Sequence, residues 1–189
     1  MYHPHSRSSS CSRTLLLGVS AAVSVCFALP AQAASHEDSG GHGGKTHLAV
    51  DFDFSSALKT PRTSAGGGGA VRLGQKFDLL LVSLTPEFGG SYHAFGGDAE
   101  TRLYTGFLGG RLGVGKVIEP SVFAHLGLAH VAGTETRTAP IMDGGLALDL
   151  TLLPLIDLGV HASYNAMFPR DDGSALKYVL LGAHAALVF

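Results

Sequence analysis

Thiols are nearly missing from this chain: among 189 residues only Cys11 and Cys26 carry one. Both precede Ala34, so the remainder excludes disulfides and thiolate chemistry. Tryptophan is absent and charged residues make up only 15% of the chain. Lysine is scarce, and Lys45, Lys59, Lys76, Lys116 and Lys177 are read as lying in a tail, in loops or at strand ends. Beyond Ala34 no stretch reaches the ~18 consecutive apolar residues of a spanning helix. The most apolar segment, residues 144–162, is interrupted by Asp149 and Asp157, which argues against helical membrane spans. Excess positive charge is missing too. Removing Arg7 and Arg13 from 13 Lys and Arg leaves 11 against 15 Asp and Glu, so a nucleic-acid partner is not expected.

What is present begins with a leader. Arg7 and Arg13 open a polar start, residues 14–29 form a short apolar run, and Pro30 precedes Ala31-Gln32-Ala33-Ala34. A basic start, a short apolar stretch and a small-x-small site are the parts of a secretory signal peptide. Residues 1–33 are therefore read as signal peptide and residues 34–45, polar and rich in glycine, as a flexible periplasmic tail.

From Thr46 the pattern changes to a period of two. Leu48, Val50, Phe52 and Phe54 alternate with His47, Ala49, Asp51, Asp53 and Ser55. The same alternation marks residues 79–93, 142–152 and 156–166, and four less regular segments lie at 67–77, 102–113, 118–131 and 177–189. Alternation of this kind is a strand signal. Short connections are expected near Phe77-Asp78, Gly113–Lys116 and Leu153–Leu155, and longer ones at 57–66, 94–101, 132–140 and 167–176. Eight strands joined by short turns at one end and longer loops at the other predict an all-β, eight-stranded, antiparallel up-and-down transmembrane β-barrel over residues 46–189. An even count puts both ends of the barrel on the periplasmic side.

Alternation looks the same inside out, so other features choose the lipid-facing set. The polar set, rich in Gly, Ala, Ser and Thr, makes a poor solvent face but a workable lumen. Phe54, Tyr92, Tyr104 and Tyr164 carry the apolar parity near long loops, while Phe77 and Phe189 close the other end, as aromatic girdles do. The rival is a soluble barrel with the apolar set inward.

The chain ends on Phe189, preceded at alternate positions by Leu187, Ala185, Ala183, Leu181 and Val179. In this it resembles the OmpA-like and opacity-type small outer-membrane barrels. The resemblance implies residence in the cell outer membrane, contact with its lipid and lipopolysaccharide, and a C-terminal signal at Phe189 and Leu187 read by the barrel-assembly machinery. The chain is expected to work as a monomer.

Folding neighbouring strands about their connections brings Asp51 opposite Arg72, and Arg111 near Glu119 and Glu87. His161 comes opposite His184, with Asp157 below it, and Asp149 shares the lumen parity. Buried charges must pair, so these nine residues are read as a structural lumen network. The histidines are assigned as lumen filler, with no metal or cofactor expected, because zinc needs defined ligands. His161-Ala162-Ser163 is similar to the H-x-S of the outer-membrane lipid A deacylases, whose pair faces lipid. Here the pair shares parity with Asp157 and Asn165, assigned to the lumen, and no acid completes a triad on the lipid side. The expectation is therefore a structural, adhesive or ligand-contacting barrel without enzymatic activity, with a narrow pore and a lipid A-modifying enzyme as alternatives.

Overall fold

A computed structural model describes residues 44–58, 65–97, 101–133, 136–153, 155–168 and 175–189. The leader and most of the tail lie outside the described residues. Eight strands follow one another: β1 (Lys45–Leu58), β2 (Ala65–Leu79), β3 (Val82–Phe95), β4 (Thr101–Val114), β5 (Ile118–Ala132), β6 (Arg137–Leu153), β7 (Ile156–Met167) and β8 (Lys177–Val188). Each pairs antiparallel with the next, and β8 pairs with β1, which closes the barrel. Closure leaves no open strand edge whose ladder donors and acceptors would face the surroundings unpaired. Strands of 12 to 17 residues exceed the roughly 9–11 needed to cross a bilayer at a tilt.

The two faces divide as the alternation predicts. On β1, His47, Ala49, Asp51 and Ser55 are buried while Val50, Phe52 and Phe54 are exposed. On β3, Ser83, Thr85, Glu87 and His93 are buried while Leu84, Phe88 and Tyr92 face out. Apolar side chains outside and buried ionised side chains inside reverse the arrangement of a soluble barrel. Water cannot be the solvent of such an outer face: Phe52 is 71% exposed, Leu108 67% and Leu146 65%. Tyr92 and Tyr104 stand in register on β3 and β4 with ring centroids 5.1 Å apart, at the loop end of the apolar belt.

The connections differ from expectation in detail. The first short turn lies at Leu80–Leu81 and not at Phe77-Asp78. The run Leu79-Leu80-Leu81-Val82 contains no turn-forming residue, and Leu80 takes φ 62 there, a left-handed conformation that costs a side-chain-bearing residue roughly 1–2 kcal/mol. The third long loop narrows to residues 133–136, because β6 extends back to Arg137. At the turn end the chain termini of the barrel are tied together: Thr46 N–H donates to the Phe189 carbonyl at 2.6 Å, and Phe189 N–H to that of Thr46 at 2.9 Å.

Candidate functional site

The lumen has three levels. At the loop end it is apolar, closed by a cluster including Phe95, Leu103, Val131, Ile141, Met167 and Tyr178. Phe95 and Tyr178 meet edge to face, 5.4 Å between centroids. These rings sit on the polar parity: Phe95 follows His93 by two residues and Tyr178 shares its face with His184. A sequence reading that sent large rings to the girdle missed them, although their parity placed them inside. Phe107 and Phe123 also turn inward and pack on His125 at 4.9 and 5.3 Å.

The middle level is ionic. Arg72 donates from Nε and Nη2 to the two oxygens of Asp51 at 2.8 and 2.7 Å, and from Nη1 to Glu87 at 3.0 Å. Arg111 donates to Asp149 at 3.0 Å and lies 3.9 Å from Glu87. His125 bridges Asp143 at 2.8 Å and Glu87 at 2.9 Å. His161 and His184 face each other through Nδ1, 3.3 Å apart, while their Nε2 atoms reach Asp53 at 2.8 Å and Asp149 at 2.5 Å. His93 adds a second contact to Asp53 at 3.2 Å.

At the turn end Lys76 donates to Glu119 at 2.6 Å, and Ser83 also hydrogen-bonds this carboxylate. Asp157 accepts from Thr151 at 2.6 Å. A cavity of about 440 Å³ lies here, lined by Lys76, Glu119, Asp157 and their neighbours.

All nine residues expected in the lumen are buried there, and Asp51 meets Arg72 as folded back. Two pairings need correction. Glu119 is held by Lys76 and not by Arg111, whose carboxylate partners are Asp149 and Glu87. Lys76, close to the turn end of β2 as expected, turns its side chain into the lumen. Asp157 does not complete the histidine pair; Asp51 does, with Oδ1 at 3.8 and 3.9 Å from the two Nδ1 atoms. Asp51, His161 and His184 place one ligand atom each within 4.8 Å of one another. Asp53, His93, His125 and Asp143 complete the ionic layer and were not singled out in advance.

His161 and Ser163 both face the lumen, buried, as their parity implies. The His161 nitrogens face His184 and Asp53, and the Ser163 hydroxyl accepts from Asn165 at 2.9 Å. The H-x-S pair therefore lies away from lipid, without the serine–imidazole contact of a nucleophilic dyad.

An apolar belt outside, a filled polar lumen inside and eight antiparallel strands define a small outer-membrane β-barrel. No protein-family model matches the chain, and no curated protein does. Solved structures do match. The chain is similar to Neisserial surface protein A with a TM-score of 0.58 and 12% identity, over 76% of this chain and 97% of that one. It is also similar to the attachment invasion locus protein Ail of Yersinia pestis, with a TM-score of 0.51 and 16% identity, over 78% and 99%. At these identities the likeness is one of fold.

Proposed function

We propose that the protein is a structural, non-conducting and non-catalytic barrel of the outer membrane, whose outward loops are its contact surface for external ligands. The filled lumen carries this reading. An eight-stranded interior is just wide enough for side chains, and here salt bridges fill its middle while Phe95, Leu103 and Tyr178 fill the loop end. A water-filled path through both levels would have to break buried ion pairs and displace packed rings. The orientation of His161 and Ser163 supports the absence of lipid-side catalysis. On the same reading the chain is exported and cleaved near Ala34, assembled through Phe189 and Leu187, and monomeric.

Planar-bilayer recording tests the proposal. The purified barrel is expected to give no unitary conductance steps, and discrete steps of reproducible size would make the narrow pore the correct account.

A further inference from the structure

Among the described residues, the buried and half-buried groups of the middle and turn-end levels include seven carboxylates, on Asp51, Asp53, Glu87, Glu119, Asp143, Asp149 and Asp157, against three permanent cations, on Arg72, Lys76 and Arg111, while Lys45, Lys116 and Asp78 line the turn-end cavity from its exposed rim. Carboxylates outnumber these cations by four, in a space where an uncompensated charge is expensive. The deficit of positive charge is sharpest where β1, β7 and β8 meet at the closure of the barrel. There Asp53 is held by histidines, at 2.8 and 3.2 Å.

The histidine pair at this seam is arranged unusually for mere filling. His161 Nε2 donates to Asp53 and His184 Nε2 donates to Asp149. A hydrogen bond to carboxylate at one ring nitrogen fixes the tautomer and leaves a lone pair on the other. Both Nδ1 lone pairs are then aimed at the same point, 3.3 Å apart. Two lone pairs at that distance repel unless a proton or a metal ion lies between them. Two nitrogens bound to one tetrahedral zinc, at ~2.0–2.1 Å each, sit roughly 3.3–3.4 Å from one another. The third ligand atom is Asp51 Oδ1, 3.8 and 3.9 Å from the two nitrogens, so a few tenths of an ångström of closure would bring it into the same shell. Its charge is already shared with Arg72, which leaves Oδ1 a second lone pair for a cation. A cavity of about 60 Å³ borders Asp51 and His161, room for the water that would complete a fourth position.

The backbone also makes space for this arrangement. His161 faces Gly182 in register and His184 faces Gly159. A Cβ at Gly182 would meet His161 at 2.7 Å and collide with Asp53; one at Gly159 would meet His184 at 2.6 Å and collide with Asp149. Each glycine therefore accommodates one imidazole together with the carboxylate that orients it.

We infer that Asp51, His161 and His184 form a zinc site at the β1–β8 closure seam, with Asp53 and Asp149 as the carboxylates that orient the two imidazoles. Bound there, the ion ties the first strand to the last two and supplies charge the lumen lacks. This goes beyond the structural role proposed above and does not depend on it, since a conducting barrel could carry the same site.

The test is zinc titration of the refolded full chain in detergent, freed of metal by chelator, against a competing chromophoric chelator. To exclude any metal taken up by His36 and His42 in the tail, the same measurement is made on the His36→Asn/His42→Asn variant. One zinc per barrel, retained in the tail variant and lost in His161→Asn and His184→Asn, is the expected result. Asp53→Asn and Asp149→Asn are expected to weaken it by about 10–100-fold, as orienting partners do. X-ray absorption of the zinc-loaded tail variant reads the ligands directly and needs no lumen substitution: two imidazoles at zinc–nitrogen bonding distance are expected. Absence of a one-to-one site in the tail variant, its survival in the His161→Asn/His184→Asn double variant, or a zinc shell without imidazole would each overturn the inference, leaving the pair bridged by a proton.

Discussion

Arg72→Met should be the most costly single change in the lumen, and the geometry says which partner bears the loss. The guanidinium makes three charge-assisted hydrogen bonds, two to Asp51 and one to Glu87, with side chains 5%, 3% and 0% exposed. Breaking a buried ion pair by removing one member costs about 3–5 kcal/mol, because the other charge stays buried. That is a shift of between about 10² and several 10³-fold in the unfolding equilibrium. Glu87 keeps His125 at 2.9 Å and Arg111 at 3.9 Å, whereas Asp51 is left with imidazoles no nearer than 3.8 Å. Asp51→Asn added to Arg72→Met should therefore recover most of the lost stability, and Glu87→Gln little of it. The chain has no tryptophan, so unfolding is followed by circular dichroism and by the mobility of unheated samples. Chelator is present throughout, so that no cation replaces the guanidinium. A loss under about 1 kcal/mol, the level of a solvent-exposed pair, or recovery by Glu87→Gln in place of Asp51→Asn, would refute the reasoning.

Other expectations follow from the outer face and the chain ends. Leu148 and Val160 stand in register on β6 and β7 and face out, so Val160→Arg should cost ~2–4 kcal/mol near mid-depth. Spin labels at either position should be reached by oxygen and protected from polar relaxation agents, and burial from both would make the lipid-facing assignment wrong. Deleting Phe189 should leave the precursor exported but poorly assembled; normal levels of a compact, heat-modifiable species would count against an assembly signal there. N-terminal sequencing of the membrane fraction should begin near Ala34, and an intact Met1 would remove the signal-peptide reading.

How far the fold could be read in advance depended on where polar and apolar residues are distinct. On β1, β3 and β7 the period of two assigned every face correctly, because Asp51, Glu87 and His161 alternate with Val50, Phe88 and Val160. β2 was less clear because Gly66 to Gly69 carry no polarity to alternate. The Arg72–Asp51 pair was legible because it joins adjacent strands across one connection. Lys76 to Glu119 joins β2 to β5, and Asp53 to His161 joins β1 to β7, 108 residues apart in sequence. Tilted, staggered strands bring such residues together across a narrow lumen, and folding neighbours about their turns cannot find them. The turn at Leu80–Leu81 was missed because nothing in its side chains marks it.

Register makes one rule visible that neither parity nor composition states. Among the described residues, each of the five lumen histidines faces a glycine on an adjacent strand: His47 and Gly74, His93 and Gly68, His125 and Gly109, His161 and Gly182, His184 and Gly159. For four of these pairs a Cβ on the glycine would come within 2.5 to 2.7 Å of the imidazole ring. An eight-stranded lumen is filled by alternating large and small inward residues, and here the large residue is repeatedly one that must also be oriented. In these four pairs the glycine lets the ring lie against the barrel wall, and the nitrogens of His93, His125, His161 and His184 reach carboxylates on other strands. The ionic layer and the glycine-rich strands are then one design. At Gly68, Gly109, Gly159 and Gly182 the missing side chain is what leaves room for an imidazole in an interior this narrow.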